Sequence, residues 1–190
     1  MTKSRGRSLD YAVLGLIFQS PKSGYDIRKI FAQSPLKMFS PSPGSVYPAL
    51  HRLAGRRLLE IAASANATGR RKELFALTQS GKQELSAWLR EPIASDDIVW
   101  SLGELQLKFA FIGDVLGLDA AIDFLTQLER GLSAHLDYLE RYLAGVAEMQ
   151  SLYGRLAFEC GIQGYRTQVD WTKHALGVLM ESKRKQDHEA

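Results

Sequence analysis

The stretch FSPSPGSVYPALHRLAGRRLLE, residues 39–60, carries the side chains best suited to chemistry. Drawn as a helix starting at about Ser45, it sets Val46, Ala49, Leu50 and Leu53 on one face. Ser45, Pro48, His51, Arg52, Gly55 and Arg56 fall on the other, with Tyr47 on the flank. The second set is small, hydroxylic and basic. An arginine offers paired N–H donors to guanine, and small apolar edges can meet a thymine methyl, so the chemistry expected is recognition of base edges. The prolines fit that use. Pro48 lies in the first turn, where an N–H has no helical acceptor, and Pro41 and Pro43 hold the approach extended. Ser45 is the expected N-cap, and the free N–H groups beyond it favour a phosphate. A second basic group, Arg70, Arg71 and Lys72, is suited to phosphates or to a narrow minor groove.

Bond-making chemistry finds no support. Gly81–Lys82 would complete a phosphate loop only with a glycine at 76, where Ala76 stands. There is no G-x-S-x-G elbow, and His51, His135, His174 and His188 lack metal-ligand spacing, so neither a metal nor a cofactor is expected and the chain reads as no enzyme. Cys160 is the only cysteine, which rules out an intrachain disulfide and suits a reducing cytoplasm. No stretch resembles a secretory core or a membrane span, and MTKSRGRS reads as a short solvated arm.

The elements that must position these residues divide near REPIASDD, residues 90–97, where Pro92 stops one helix and Asp96–Asp97 can cap the next. Residues 1–90 hold 15 Lys and Arg against 5 Asp and Glu, a surplus of ten; residues 91–190 hold 9 against 16, a deficit of seven. One part is charged to meet a polyanion and the other is not. Within 1–90 the pattern predicts a buried helix over 9–19, a turn at 20–24, a helix over 25–33 with Tyr25, Ile27, Ile30 and Phe31 near one face, and a loop over 34–44. The helix from Ser45 follows. LLEIAA and KELFALT then make a hairpin with a basic tip, and Thr78 caps a fourth helix. This order is that of a winged helix-turn-helix.

Residues 91–190 read as helical throughout. Leu118, Ile122, Leu125, Leu128, Leu132, Leu136, Leu139, Leu143 and Val146 form one seam, and Ile162, Tyr165, Val169, Thr172, Leu176 and Leu179 a second. An antiparallel pair within one chain would bury both. The reading preferred from sequence is a homodimer whose interface uses Leu125, Leu128, Leu132, Leu136, Leu139, Leu143, Ile162, Tyr165, Val169, Leu176 and Leu179. The fold class expected is thus mainly α, with an N-terminal winged helix and long coiled-coil-like helices at the C-terminal end.

At LDYAVLGLI (9–17), SGYDIRKIF (23–31), residues 39–60 and RRKELFALTQSGKQELSAWL (70–89), the sequence resembles PadR-type transcriptional regulators. The rest is similar in length and pattern to the subfamily with a long helical C-terminal domain. The resemblance implies a homodimeric regulator, a repressor by expectation, that binds a double-stranded DNA operator through residues 1–90. By motif position it sets Tyr25, Ser45, Tyr47, His51 and Arg52 near DNA; Ser42, Gly44, Pro48, Arg70, Arg71 and Lys72 complete the candidate set. Trp88, Trp100 and Trp171 read first as ordinary core packing; the alternative is an effector pocket near Trp88 and Trp100, at the domain junction or dimer interface, for a small aromatic or phenol of the kind that the resemblance implies. The competing readings are a helical protein-interaction module and a non-specific architectural DNA binder.

Overall fold

The computed structural model describes residues 2–39, 44–62, 73–146 and 151–189. The chain forms two compact units, Met1–Glu91 and Pro92–Ala190.

The first unit is built on α1 (Thr2–Gln19), where Leu9, Ala12, Val13, Leu14 and Ile17 are buried because the run from 9 to 17 is apolar apart from Asp10 and the Tyr11 hydroxyl. The helix begins earlier than expected. The basic start is helical from Thr2, and Arg7 at its inner end lies over the Tyr11 ring and pairs with Glu91, contacts that a free arm would lack. α2 (Gly24–Gln33) starts with a reciprocal cap: the Ser23 hydroxyl accepts from the Asp26 N–H at 3.2 Å, and the Ser23 N–H donates to the Asp26 carboxylate at 3.2 Å. Ile27 and Phe31 are its buried residues, whereas Tyr25 is 55% exposed and does not share their face. Part of the segment expected as loop is a short 3₁₀ turn, Pro35–Phe39.

α3 (Val46–Gly55) buries Val46, Ala49, Leu50 and Leu53 completely. It closes with a left-handed residue, Arg57 at φ 59°, and with bonds from Leu58 N–H to Leu53 O and from Arg57 N–H to Ala54 O. β1 (Leu59–Ala62) and β2 (Leu74–Leu77) then pair antiparallel, Leu59 opposite Leu77 and Ala62 opposite Leu74. The turn before α2 joins their edge by two bonds between Lys22 and Phe75. α4 (Gln79–Leu89) is capped by Thr78, whose hydroxyl accepts from the Gly81 N–H at 3.0 Å and donates to Arg57 O at 2.7 Å. Gly81 is required here: a Cβ would stand 2.1 Å from the Leu58 carbonyl oxygen.

The second unit contains α5 (Ser95–Trp100), α6 (Leu102–Leu116), α7 (Leu118–Val146) and α8 (Leu152–Glu189). The Asp97 carboxylate reaches back to the Ala94 N–H at 2.9 Å, the capping role expected of the acidic pair. Helices α7 and α8 pack antiparallel, with Glu140 joined to Arg166 and Glu129 to Lys173 across them. Leu125, Leu128, Leu132, Ile162 and Val169 are consequently buried inside one chain at 0–4% exposure. This corrects their assignment to an interface between copies: heptad spacing demands a partner helix, and the chain's own helix supplies it. Leu136, Leu139, Leu143, Tyr165, Leu176 and Leu179 are only half-buried. Mainly α architecture, winged helix and long paired helices agree with the sequence.

Candidate nucleic-acid interface

Burial of one face of α3 leaves the other to solvent. Gly44, Tyr47, Pro48, His51 and Arg52 are exposed and Ser45 is half-buried, so these residues share one surface. Ser45 stands at the N-cap position, but its side chain makes no capping bond and its backbone is helical, φ −76° and ψ −22°. The first N–H groups of the helix therefore do not depend on that hydroxyl. Tyr47 rests on the α-carbon of Gly24: a Cβ there would lie 2.6 Å from the Tyr47 ring. This close approach brings the starts of α2 and α3 together. Tyr25, the next residue of α2, is exposed, and Arg28 lies over its ring at 5.7 Å. Ser42, Arg70, Arg71 and Lys72 lie outside the described residues.

Arg52 is held in a way its exposure alone does not suggest. Its Nε donates to Asp10 Oδ2 at 3.1 Å and its Nη2 to Asp10 Oδ1, a two-point pair from α3 to α1. The hydrogen bond to Asp10 and its charge raise the guanidinium above its ordinary value. Arg56 on the same side donates to Glu84 of α4 at 2.7 Å, with both partners more open to water. Asp10 was not singled out from the sequence, although a signal existed: a lone carboxylate inside LDYAVLGLI must find a cation once the helix is buried.

The aromatic effector assignment fares differently. Trp88 is 1% exposed and stacked on Tyr11, with ring centroids 4.3 Å apart and planes 3° from parallel. This burial puts Trp88 in the first unit's core. Trp100 belongs to the second unit and is 75% exposed. A groove between α6 and α8, about 390 Å³, is instead lined by Gln106, Phe109, Gln168 and Trp171, the two rings meeting edge to face at 5.5 Å.

Residues 13–87 match the transcriptional regulator PadR-like family, and residues 104–180 match a family described as virulence activator alpha C-term. The negative transcriptional regulator PadR of Bacillus subtilis (strain 168) is 32% identical over 182 residues, covering 91% of this chain and 98% of that protein. The chain belongs to the PadR-like family of transcriptional regulators. A probable transcriptional regulator of Mycobacterium tuberculosis is 20% identical over 189 residues, covering 93% of this chain and all of that protein. The crystal structure of Bacillus subtilis PadR with operator DNA is 27% identical, covers 90% of this chain and 98% of its own, and superposes at a TM-score of 0.41. The crystal structure of the same PadR with p-coumaric acid gives 26%, 92%, 96% and 0.41. Membership therefore rests on sequence identity and not on superposition. Both segments of this PadR-type chain have counterparts: the first match lies inside Met1–Glu91 and the second inside Pro92–Ala190. No helix among the described residues is long and apolar enough to cross a membrane.

Proposed function

We propose that this PadR-type regulator is a homodimeric repressor that binds a specific duplex operator, with α3 in the major groove and the hairpin along the backbone or minor groove. The observation that carries the reading is the division of α3 into a fully buried face and an exposed face of Pro48, His51 and Arg52. The surplus of ten positive charges in residues 1–90 supplies the attraction to phosphate. The Bacillus relative, crystallised with operator DNA, supports the same target. Such a target implies a cytoplasmic protein with no catalytic role. A symmetric dimer would set its two half-sites about 10 bp, or a multiple of that, apart.

The copies would meet through apolar side chains that one chain leaves open. Tyr138, Tyr142, Leu152, Tyr153 and Leu156 are 46–82% exposed at one end of the α7–α8 pair. A small aromatic acid or phenol is the proposed effector, since p-coumaric acid is a ligand of the Bacillus protein. Here the groove beside Phe109 and Trp171 offers it ring edges and amides.

The test is selection of duplexes from a randomised pool, followed by fluorescence anisotropy of the selected duplex and a scrambled one at 50 and 200 mM salt. Preference for the selected duplex, with affinity falling by about 10³ or more over that range, is expected for six or more phosphate contacts. Equal, salt-sensitive binding would mean an architectural binder. No binding at low salt would mean a protein-interaction module.

A further inference from the structure

We infer that Asp10 is the positioning residue for base reading by Arg52, an inference that rests on α3 being the reading helix. A guanidinium has two usable edges. The side edge, Nε with one N–H of Nη2, is occupied by the Asp10 carboxylate. The end edge, Nη1 with the second N–H of Nη2, remains, and its two parallel donors match the N7 and O6 acceptors of guanine. The pair with Asp10 therefore leaves the base-reading edge open and fixes where it points.

The anchor is rigid. Asp10 is 9% exposed on the most deeply buried helix of the first unit, between Leu9 at 4% and Ala12 at 0%. An exposed arginine without such a partner samples many rotamers and must be ordered when it binds; this one is ordered beforehand. The neighbouring pair makes the contrast. Glu84 holds Arg56 through Nη2 at 2.7 Å, and the Glu84 side chain is 34% exposed against 12% for that of Asp10, so Arg56 gains no comparable direction.

Asp10→Asn separates positioning from plain stability. Asparagine keeps the size but turns one acceptor into a donor, which cannot face Nη2. It also removes a negative charge near the proposed phosphate surface. Preference for the selected duplex over its scrambled form should fall about tenfold, the weight of one two-point base contact. Affinity for the scrambled duplex should stay level or rise. In an Arg52→Ala background the same change should leave the preference unaltered, because no reading edge is left to aim. Glu84→Gln is the charge control, expected to tighten both duplexes equally. Far-UV circular dichroism and a melt check that each variant is folded.

A parallel loss on both duplexes would assign Asp10 to helix packing alone and overturn the inference. So would an unchanged preference in folded Asp10→Asn, while leaving α3 as the reader. A wild-type protein without any preference would overturn the reading helix itself and, with it, anything that aims it.

Discussion

Gly81→Ala tests how closely the hairpin is seated on α4. Alanine in place of glycine inside a helix ordinarily stabilises by about 1 kcal/mol. Here the added Cβ would stand 2.1 Å from the Leu58 carbonyl oxygen and 2.8 Å from Leu77 Cδ2. The first neighbour is backbone and cannot swing aside. That oxygen accepts the Thr78 N–H at 3.1 Å, and Gly81 N–H holds the Thr78 hydroxyl at 3.0 Å, so making room loosens the cap and the strand junction together. Overpacking costs about 1–3 kcal/mol and a lost cap about 1 kcal/mol. Set against the helix gain, the net is a destabilisation of about 2 kcal/mol, which in a domain of this size lowers Tm by roughly 8–16 °C. Thermal melts followed by circular dichroism and by emission from Trp88, the buried tryptophan of the first unit, read the change. An unchanged or higher Tm would show that helix propensity outweighs the contact, and the reasoning from the close approach would fail.

Gly24→Ala meets a side chain instead, the Tyr47 ring at 2.6 Å, and that ring can turn. The melt should shift little, while operator affinity falls about tenfold, the worth of one hydrogen bond to a charged phosphate; anisotropy with unchanged affinity would take Tyr47 out of the interface. Leu132→Ala should cost 2–5 kcal/mol, about the usual range for a fully buried leucine, with a Tm loss independent of protein concentration. A loss that grows on dilution would put Leu132 between copies. Burial, aided by the Glu84 charge, raises the Tyr11 phenol above its ordinary value. Its protonated form is thus favoured by folding, and its contribution is intact below about pH 10 and lost as pH rises past it, by at most about 1.4 kcal/mol per pH unit. Urea midpoints at pH 9, 10 and 11 should fall less steeply for Tyr11→Phe than for the native chain.

What the sequence revealed depended on whether a signal was local. The apolar face of α3 was legible because its period is set within ten residues, and all four assigned positions are fully buried. The caps at Thr78 and Asp97 were equally local. Arg52 marks where that reasoning stops: spacing put it on the outward face, and it is there, but its partner lies 42 residues earlier. Helix periodicity says which way a side chain leaves its own helix and nothing about what waits for it. Trp88 shows a related limit. Its place at the end of α4 leaves core packing and an effector pocket both open, and the flat stack on Tyr11, a contact between distant segments, puts it in the core. The polarity of the N-terminal run suggests an arm, but the run is continuous with the helix whose next residues are the core of α1.

The helical part shows the same limit in the other direction. A seam of leucines specifies that a helix must be covered, and the energy of covering it does not depend on which chain provides the partner. The reversed order of the ion pairs, Glu140 with Arg166 and then Glu129 with Lys173, shows α8 folding back along α7. Once that pair has consumed the central seam, a surface between copies has to come from side chains the pairing leaves over. Those are concentrated where α8 begins, with Leu152 58% and Tyr153 82% exposed, and near the end of α7, with Tyr138 and Tyr142. A dimer formed there would depend on aromatic side chains outside the heptad. Replacing Tyr153 and Leu156 should then weaken association without melting the second unit, and replacing Leu132 should do the reverse.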